Sequence, residues 1–175
     1  MNENENKNNA PAAVRPRLSY YHPNGRGTGA AVQFEVYPAQ AAVDGGIFAT
    51  FARQKTCGSM EGGVVTFPRF DWDNRIVVKL DMADLMQMVQ VFRGMQESIA
   101  DGKGLFHKSE THYCIVKMEH RIEPQPGYAF EVSRRKNGSE DKPERIGIVF
   151  TVSEALGLLL AIENSVGLIA FGAAK

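Results

Sequence analysis

Two stretches of this chain repeat one pattern of apolar and polar residues. Residues 75–92 begin with alternating β-branched positions and change after Asp81 to apolar residues at helical spacing. Residues 145–162 do the same after Thr151. A period of two is typical of a strand with one buried face, and a period of 3.6 is typical of a helix with one buried face. The pattern therefore predicts a strand that runs directly into a helix, at two places in the chain.

The residue at each change of period is suited to begin a helix. Asp81 and Thr151 can each accept a hydrogen bond from a free N–H in the first helical turn. An acid follows three residues later in both cases, Asp84 in the first and Glu154 in the second. Thr151 and Glu154 form a capping-box sequence, and Asp81 with Asp84 is a looser version of it. We therefore predict helices over residues 82–99 and 152–166.

The two predicted helices differ in their apolar faces. The first has its apolar residues on one stripe and polar residues, Asp84 among them, on the other side, so one face should be buried. The stripe consists of Leu85, Met88, Val89, Phe92, Met95 and Ile99. The second helix is apolar nearly all round, which predicts burial on more than one side, in the core of this chain or against another subunit.

Strand patterns precede each helix, and a short aromatic run at residues 18–22 comes before them all. The predicted strands cover residues 31–37, 47–55, 64–67 and 75–80 in the first half, and 105–108, 112–120, 128–136 and 145–150 in the second. Residues 48–55 and 130–136 also match, since both are apolar strands that end in basic residues. The first half carries an extra segment between Lys55 and Arg75. We predict an α+β fold of two ββββα repeats, residues 17–100 and 104–172, in one domain over residues 17–175.

This order of elements resembles the Whirly-like fold, whose members bind single-stranded nucleic acid. They include plant Whirly proteins, kinetoplastid guide-RNA-binding proteins and positive-cofactor-four coactivators. The resemblance covers residues 17–172 and rests on topology and the internal repeat. The plant family's Lys-Gly-Lys-Ala-Ala motif is absent, and its nearest match, residues 102–104, lies between the repeats. The resemblance implies antiparallel sheets packed on two helices, association of chains through helices 82–99 and 152–166, and binding of single-stranded DNA or RNA.

Composition narrows the remaining classes of protein. The 175 residues are 43% hydrophobic and 23% charged, as in soluble globular proteins, and no apolar run predicts a membrane span. The Asn- and Glu-rich residues 1–16 predict a disordered tail and not a secretory signal. Cys57 and Cys114 have no characteristic spacing, which favours reduced thiols and a cytoplasmic location. The 20 basic and 20 acidic residues cancel, so only local patches could attract a polyanion.

Basic residues interleaved with aromatic residues form the candidate nucleic-acid site, because cations can follow phosphates while flat rings stack on unpaired bases. The predicted phosphate contacts are Arg53, Lys55, Arg134, Arg135 and Lys136, and Arg69, among the aromatic residues 67–72, is a further predicted nucleic-acid-binding residue. The predicted stacking residues are Tyr21, Phe67, Phe70 and Trp72. On the residues alone, the favoured interpretation is that the aromatic residues cap the core while the charges solvate strand ends. The fold resemblance favours nucleic-acid binding instead.

Other kinds of site find less support in the sequence. Zinc could use imidazole and thiolate groups, but no metal-ligand spacing supports such a site. The residues in question are His107, His112, Cys114 and His120. The glycine-rich residues 24–29 precede a strand and not a helix, which predicts a hairpin tip rather than a phosphate cradle, although Arg26 could reach a phosphate. No nucleophile has a neighbouring base, so we expect no enzyme, no cofactor and no metal.

We therefore predict sequence-tolerant binding of single-stranded DNA or RNA by a homo-oligomer without a membrane partner. The alternative is a structural or protein-interaction module that uses the same fold without nucleic acid. Zero net charge favours the alternative, and the clustered basic strand ends favour nucleic acid.

Overall fold

The computed structural model describes residues 17–172, which form eleven strands, two α-helices and one 3-10 turn. The first repeat contains β1 (Arg17–His22), β2 (Ala30–Tyr37), β3 (Gly46–Thr56), β4 (Ser59–Glu61), β5 (Val64–Thr66), β6 (Arg69–Phe70), β7 (Ile76–Leu80) and α1 (Met82–Phe92). The 3-10 turn (Ile99–Gly102) leads to β8 (Leu105–Lys108), β9 (His112–Arg121), β10 (Gly127–Lys136), β11 (Glu144–Phe150) and α2 (Val152–Phe171). The tail predicted at residues 1–16 lies outside the described residues.

Nine of the eleven strands form two antiparallel sheets of matching order. The first sheet runs β1-β2-β3-β7, with the short β6 beside the far end of β3, and the second runs β8-β9-β10-β11. Strands β3 and β10, which the sequence matched because both end in basic residues, are each a central strand of their sheet. In each repeat the last strand of the sheet runs directly into a helix. The predicted α+β fold of two ββββα repeats is therefore confirmed.

Both helices begin at the predicted N-caps. The Asp84 N–H donates to Asp81 Oδ1 at 3.0 Å, and Asp84 Oδ2 accepts from the Asp81 N–H at 3.1 Å. Thr151 and Glu154 make the same reciprocal pair at 3.2 and 2.8 Å. The looser sequence at Asp81 thus forms a complete capping box, because an Asp side chain also reaches back to the N-cap.

Helix α1 is shorter than predicted, and its buried face differs from the predicted stripe. It ends at Phe92, because Gly94 takes a positive φ of 68° that terminates the helix. Met95 is consequently 69% exposed, whereas Ile99 reaches the core from the 3-10 turn. Asp84, predicted on the polar side, is only 9% exposed. Helix α2 is longer than predicted and continues to Phe171.

The strand predicted at residues 64–67 exists, but it lies outside the first sheet. β5 pairs with β4 in a separate two-stranded hairpin, and the aromatic run at residues 18–22 supplies the edge strand β1 instead. The hairpin closes on itself through Gly62 and Gly63, which both have positive φ, as a tight two-residue turn requires. The extra segment of the first half is therefore an appendage to the sheet.

The two repeats share one hydrophobic core. Phe130 of β10 is fully buried, and its ring centroid lies 5.9 Å from Phe34, 5.0 Å from Phe51 and 5.8 Å from Phe150. Phe34 and Phe51 come from the first repeat, and Phe150 comes from the second. Helix α2 adds Leu158 and Ile162 to this core, and α1 adds Leu85, Met88 and Val91. Each sheet thus buries its apolar face partly against the other repeat.

Helix α2 buries one face in this chain and exposes apolar residues on another. We call the exposed set the α2 stripe: Val152, Leu156, Leu160, Leu168 and Phe171. By length and composition the helix could cross a membrane, with a mean hydropathy of 1.6. The sequence predicted no membrane span, because acidic residues interrupt the apolar run. They nevertheless leave the mean hydropathy of the helix high. The second predicted buried side of α2 is accordingly not covered by residues 17–172.

Glu154 joins helix α2 to the first sheet. Its Oε1 lies 2.8 Å from His22 Nε2, and its Oε2 accepts from the Thr151 N–H. Burial raises the pKa of this carboxyl, but hydrogen bonds with His22 and Thr151 outweigh burial, so the pKa lies below its ordinary value of 4.5. A carboxylate with a lowered folded-state pKa stabilises the fold above its unfolded-state pKa, and this contribution is lost as the pH falls through the folded-state value.

We expect Glu154→Gln to lower the free energy of unfolding by roughly 0.2–1 kcal/mol near neutral pH, the range for a partly exposed ion pair. The difference from wild type should vanish at a pH well below 4.5, where the wild-type carboxyl is also neutral. Urea unfolding at the two pH values measures both differences. An equal loss at both would assign the effect to side-chain shape and not to charge.

Candidate nucleic-acid interface

All four predicted stacking residues lie together on the surface, and we call them the aromatic platform. Tyr21 of β1 lies 5.5 Å from Phe70 of β6 and 6.3 Å from Trp72, measured between ring centroids. Phe70 and Trp72 are 6.5 Å apart. Phe67, which is 79% exposed, lines the same open groove of about 520 Å³. Residues far apart in the sequence thus present ring surfaces to one side of the molecule.

Backbone pairing positions the platform. Phe70 pairs with Gln54 of β3, and the Asp71 N–H donates to the Arg53 carbonyl at 2.8 Å. Asn74 donates to Asp71 Oδ2 at 2.8 Å, and this hydrogen bond lowers the pKa of the Asp71 carboxyl. The carboxylate also lies 3.9 Å from Lys55 Nζ. Lys55, a predicted phosphate contact, is therefore partly neutralised by the turn that carries Trp72.

The structure brings Arg53 and Arg134 together on one acid. Arg134 Nη2 lies 2.7 Å from Glu144 Oε2, and Arg53 Nε lies 3.7 Å from Glu144 Oε1. Arg53 also donates to the Arg145 carbonyl, and Arg134 donates to the Arg75 carbonyl. These contacts join the ends of the central strands β3 and β10 across the two repeats. Both arginines therefore hold the repeats together, and Glu144 offsets part of their charge.

The basic run at residues 134–136 does not form one patch. Successive strand residues point to opposite faces of a sheet, so Arg135 lies on the other face from Arg134 and Lys136. Lys136 is exposed at the strand end, and Arg135 is half-buried. Arg69 is exposed beside the aromatic platform and lines its groove. The adjacency of the three basic residues in the sequence therefore overstates their density on the surface.

A basic cleft lies between the two sheets, and we call it the inter-sheet cleft. It encloses about 590 Å³. Its charged and polar lining consists of Asp73, Arg75, Lys79, His107, Lys108, Ser109, His112, Cys114 and Arg134. Lysine and arginine thus supply four cations to this lining, against one acid. Sequence reasoning missed Arg75 and Lys79 as site residues, and it noted Lys108 beside Phe106 without including it among the predicted contacts, because only the packing of the two sheets brings the three together.

In the part of the chain that the structure describes, two of the cleft cations donate to backbone carbonyls and form no ion pair with an acid. Arg75 donates to the Trp72 carbonyl at 2.8 Å, and Lys79 donates to the Asp44 carbonyl at 2.7 Å. Backbone carbonyls orient these groups without neutralising them. Deeper in the cleft, His107 Nε2 lies 3.4 Å from Asp84 Oδ2, and burial raises the pKa of the Asp84 carboxyl. Burial also raises the pKa of the Cys114 thiol.

A further groove, which we call the connecting groove, joins the aromatic platform to the inter-sheet cleft across the outer face of the first sheet. It encloses about 500 Å³. Trp72 lines both this groove and the platform, and Arg75 lines both this groove and the cleft. The groove is also lined by Tyr37 and Phe48, whose ring centroids are 4.4 Å apart. Aromatic and basic side chains therefore follow one continuous path. In the sequence, the alternation along β2 places Tyr37 on the face opposite the buried residues, and this was the signal that its ring could line an outer groove.

The other candidate sites have different roles in the structure. Residues 24–29 form the turn between β1 and β2, as predicted, where Asn24 Oδ1 accepts from the Arg26 and Thr28 N–H groups at 3.0 and 3.1 Å. Arg26 is exposed at this turn. Within residues 17–172, no group of three His, Cys, Asp or Glu side chains is placed to hold a metal ion. Both cysteines are free thiols.

Two antiparallel sheets on two helices, built from two repeats, define a Whirly-like fold, as the resemblance predicted. The chain is similar to the crystal structure of WHY1 from Arabidopsis thaliana, with a TM-score of 0.67 and 20% identity over 92% of this chain and 88% of that chain. It is similar to the plant transcriptional regulator PBF-2, with a TM-score of 0.62 and 18% identity over 90% and 84% of the two chains. It is also similar to a guide-RNA-binding protein complex bound to a gRNA, with a TM-score of 0.56 and 14% identity over 88% of this chain and 91% of that chain. No protein-family model and no curated protein sequence matches the chain.

Proposed function

We propose that this protein binds single-stranded DNA or RNA with little sequence preference and catalyses no reaction. The observation that carries this proposal is the continuous path from the aromatic platform to the inter-sheet cleft. Rings stack on the face of any base, and cations follow the backbone, so such a path binds strands of many sequences. The similarity to a guide-RNA-binding complex bound to a gRNA supports the same class of ligand.

The bases and the phosphates have separate places on this path. We assign base stacking to the aromatic platform, with Trp72 at its junction with the connecting groove. We assign phosphate contacts to Arg75, Lys79 and Lys108, whose charges lie on the cleft. Arg53 and Arg134 contribute less than the sequence suggests, because Glu144 already pairs with both. A duplex would fit poorly, since its bases are stacked on one another and offer no free faces.

The test is a fluorescence anisotropy titration of a labelled single-stranded oligonucleotide of mixed sequence at several salt concentrations. If three or four phosphates are neutralised, a plot of the logarithm of the association constant against the logarithm of the salt concentration should have a slope of about −2 to −3. Unlabelled duplex should compete poorly. Absence of binding at low salt overturns the proposal and leaves a protein-interaction module on the same fold.

We further propose that the protein forms a homo-oligomer through its helices, with the α2 stripe against a second copy. Its members Val152, Leu156 and Leu160 are four residues apart and Leu168 and Phe171 are three apart, with the polar Asn164 in the gap between the two groups, and the stripe lies opposite the face packed on the core. An ion pair of 2.7 Å between Arg93 and Glu163 joins α1 to α2 beside it. A protein partner fits this mixture of apolar and paired charged residues better than a bilayer does.

We expect Leu160→Glu to lower the molar mass measured by sedimentation equilibrium, because a carboxylate in an apolar interface has no partner. Leu160 is 50% exposed in the single chain, so the fold should tolerate the change. Ile122→Glu is the matched control, since Ile122 is 73% exposed in the turn between β9 and β10. A wild-type monomer, or equal masses for wild type and Leu160→Glu, contradicts this assembly.

A further inference from the structure

The β4–β5 hairpin presents an apolar surface that the core does not use. All six of its strand residues are exposed, and within residues 17–172 its two strands pair only with each other. Met60 is 76% exposed and Val65 is 52% exposed. Exposed apolar side chains at this density on a small appendage are typical of a contact surface.

The two faces of the hairpin differ in chemistry. Met60 pairs with Val65 across the hairpin, and directly opposed residues share a face. The other face carries the Ser59–Thr66 pair, whose hydroxyl oxygens are 2.9 Å apart, together with Glu61. We call the side with Met60 and Val65 the apolar face. Phe67 follows the end of β5 directly, two residues after Val65, and adds a third exposed apolar side chain next to this face.

Phe67 connects the apolar face to the aromatic platform. It lines the platform groove together with Phe70 and Trp72. The base of the hairpin is anchored beside the platform, because the Arg69 N–H donates to Thr56 Oγ1 at 3.2 Å. A Cβ at Gly58 would lie 2.9 Å from the Thr66 carbonyl oxygen, so the two strands approach too closely there for any larger residue.

The charge of residues 57–68 indicates whether this segment would contact the bases or the phosphates of a nucleic acid. Between Cys57 and Pro68 there is no lysine or arginine, and Glu61 is the one charged residue. A neutral apolar face cannot hold phosphates, but it can cover the flat faces of unpaired bases, whose stacking tolerates any sequence. Arg69 lines the platform groove beside the hairpin, and the main group of cations on the path lies farther away, in the inter-sheet cleft.

We propose that the β4–β5 hairpin is an arm that covers the bases of a single strand stacked on the aromatic platform. Met60 and Val65 contact the base faces, and Phe67 makes the surface continuous with Trp72. The arm thus shields stacked bases from water on the side away from the sheet. This inference rests on the proposed function and assigns a base-binding role to the extra segment of the first repeat.

The test compares Met60→Ser/Val65→Ser with Val64→Ser by anisotropy over a range of salt concentrations. Val64 is 65% exposed on the opposite face of the same hairpin, which makes it a matched control. We expect the double variant to bind a single strand roughly fivefold or more weakly, from lost apolar burial. Its salt slope should equal that of wild type, because no phosphate contact is removed. Val64→Ser should bind like wild type.

Three results overturn the arm, and they are distinguishable from failure of the proposed function. If wild type binds and the double variant binds equally well, the arm does not contact bases. If the double variant has a lower molar mass without nucleic acid, the apolar face is a contact between copies of this chain. If an oligonucleotide with photoreactive thio-substituted bases crosslinks to Trp72 but not to residues 60–67, the strand does not pass beneath the hairpin. If wild type itself does not bind, the proposed function fails.

Discussion

Trp72→Ala should weaken the binding of a single-stranded oligonucleotide by about 5- to 150-fold, since one stacked base contributes roughly 1–3 kcal/mol. Trp72 lies where the aromatic platform meets the connecting groove, so its loss interrupts the path at its middle. The salt dependence should not change, because the side chain carries no charge. Anisotropy titration of both proteins measures the affinity and the slope together.

Trp72→Phe is the matched control for this prediction, because it keeps a ring at the same position and should retain most of the affinity. Trp72 is also the one tryptophan of the chain, so stacking of a base should quench the intrinsic fluorescence of wild type during the same titration. Wild-type affinity in Trp72→Ala, with an unchanged melting temperature, removes the platform from the site.

The largest expected effect on stability comes from Phe130→Ala, which should lower the free energy of unfolding by about 3–5 kcal/mol. Phe130 is fully buried and contacts three phenylalanines from both repeats. A loss of this size is a large fraction of the stability of a typical domain, roughly 5–15 kcal/mol. Urea unfolding followed by circular dichroism measures it.

Phe106→Ala is the control for Phe130→Ala, because Phe106 is 61% exposed and its removal should change stability by less than about 1 kcal/mol. Since the repeats share a core, we expect Phe130→Ala to unfold in one transition, as a single domain over residues 17–172 requires. Two separate transitions would instead mean that each repeat is stable without the other.

The candidate site was predicted from the sequence only in part. Trp72, Phe70 and Phe67 are neighbours in the chain, so their combination is visible as a local cluster. Tyr21 joins them only because its ring meets that of Phe70 across the sheet, in which β2 and β3 separate β1 from β6. Arg75 lies directly before β7 of the first sheet and Lys108 ends β8 of the second, so only tertiary packing brings them into one cleft. Nothing in the sequence near either residue indicates the other.

The acidic partners were equally invisible to sequence reasoning. Glu144 offsets part of the charge of Arg134 in its own repeat and of Arg53 in the other repeat. Asp84 is placed by helical periodicity on the polar side of α1, yet it lies buried beside His107 of the second sheet. Charge counts along a chain therefore predict the net balance but not which cations remain available to a ligand.

The sequence by itself determined the repeat, the two strand-to-helix junctions and the fold class. These features depend on alternation, helical period and capping, which act over a few neighbouring residues. Only the tertiary structure decided that residues 64–66 leave the sheet, that helix α1 ends at Phe92, and that one face of α2 stays exposed. It also decided which cations line a common cleft. The reason is that burial and ion pairing depend on which surfaces meet, and contacts between residues distant in the chain set that arrangement.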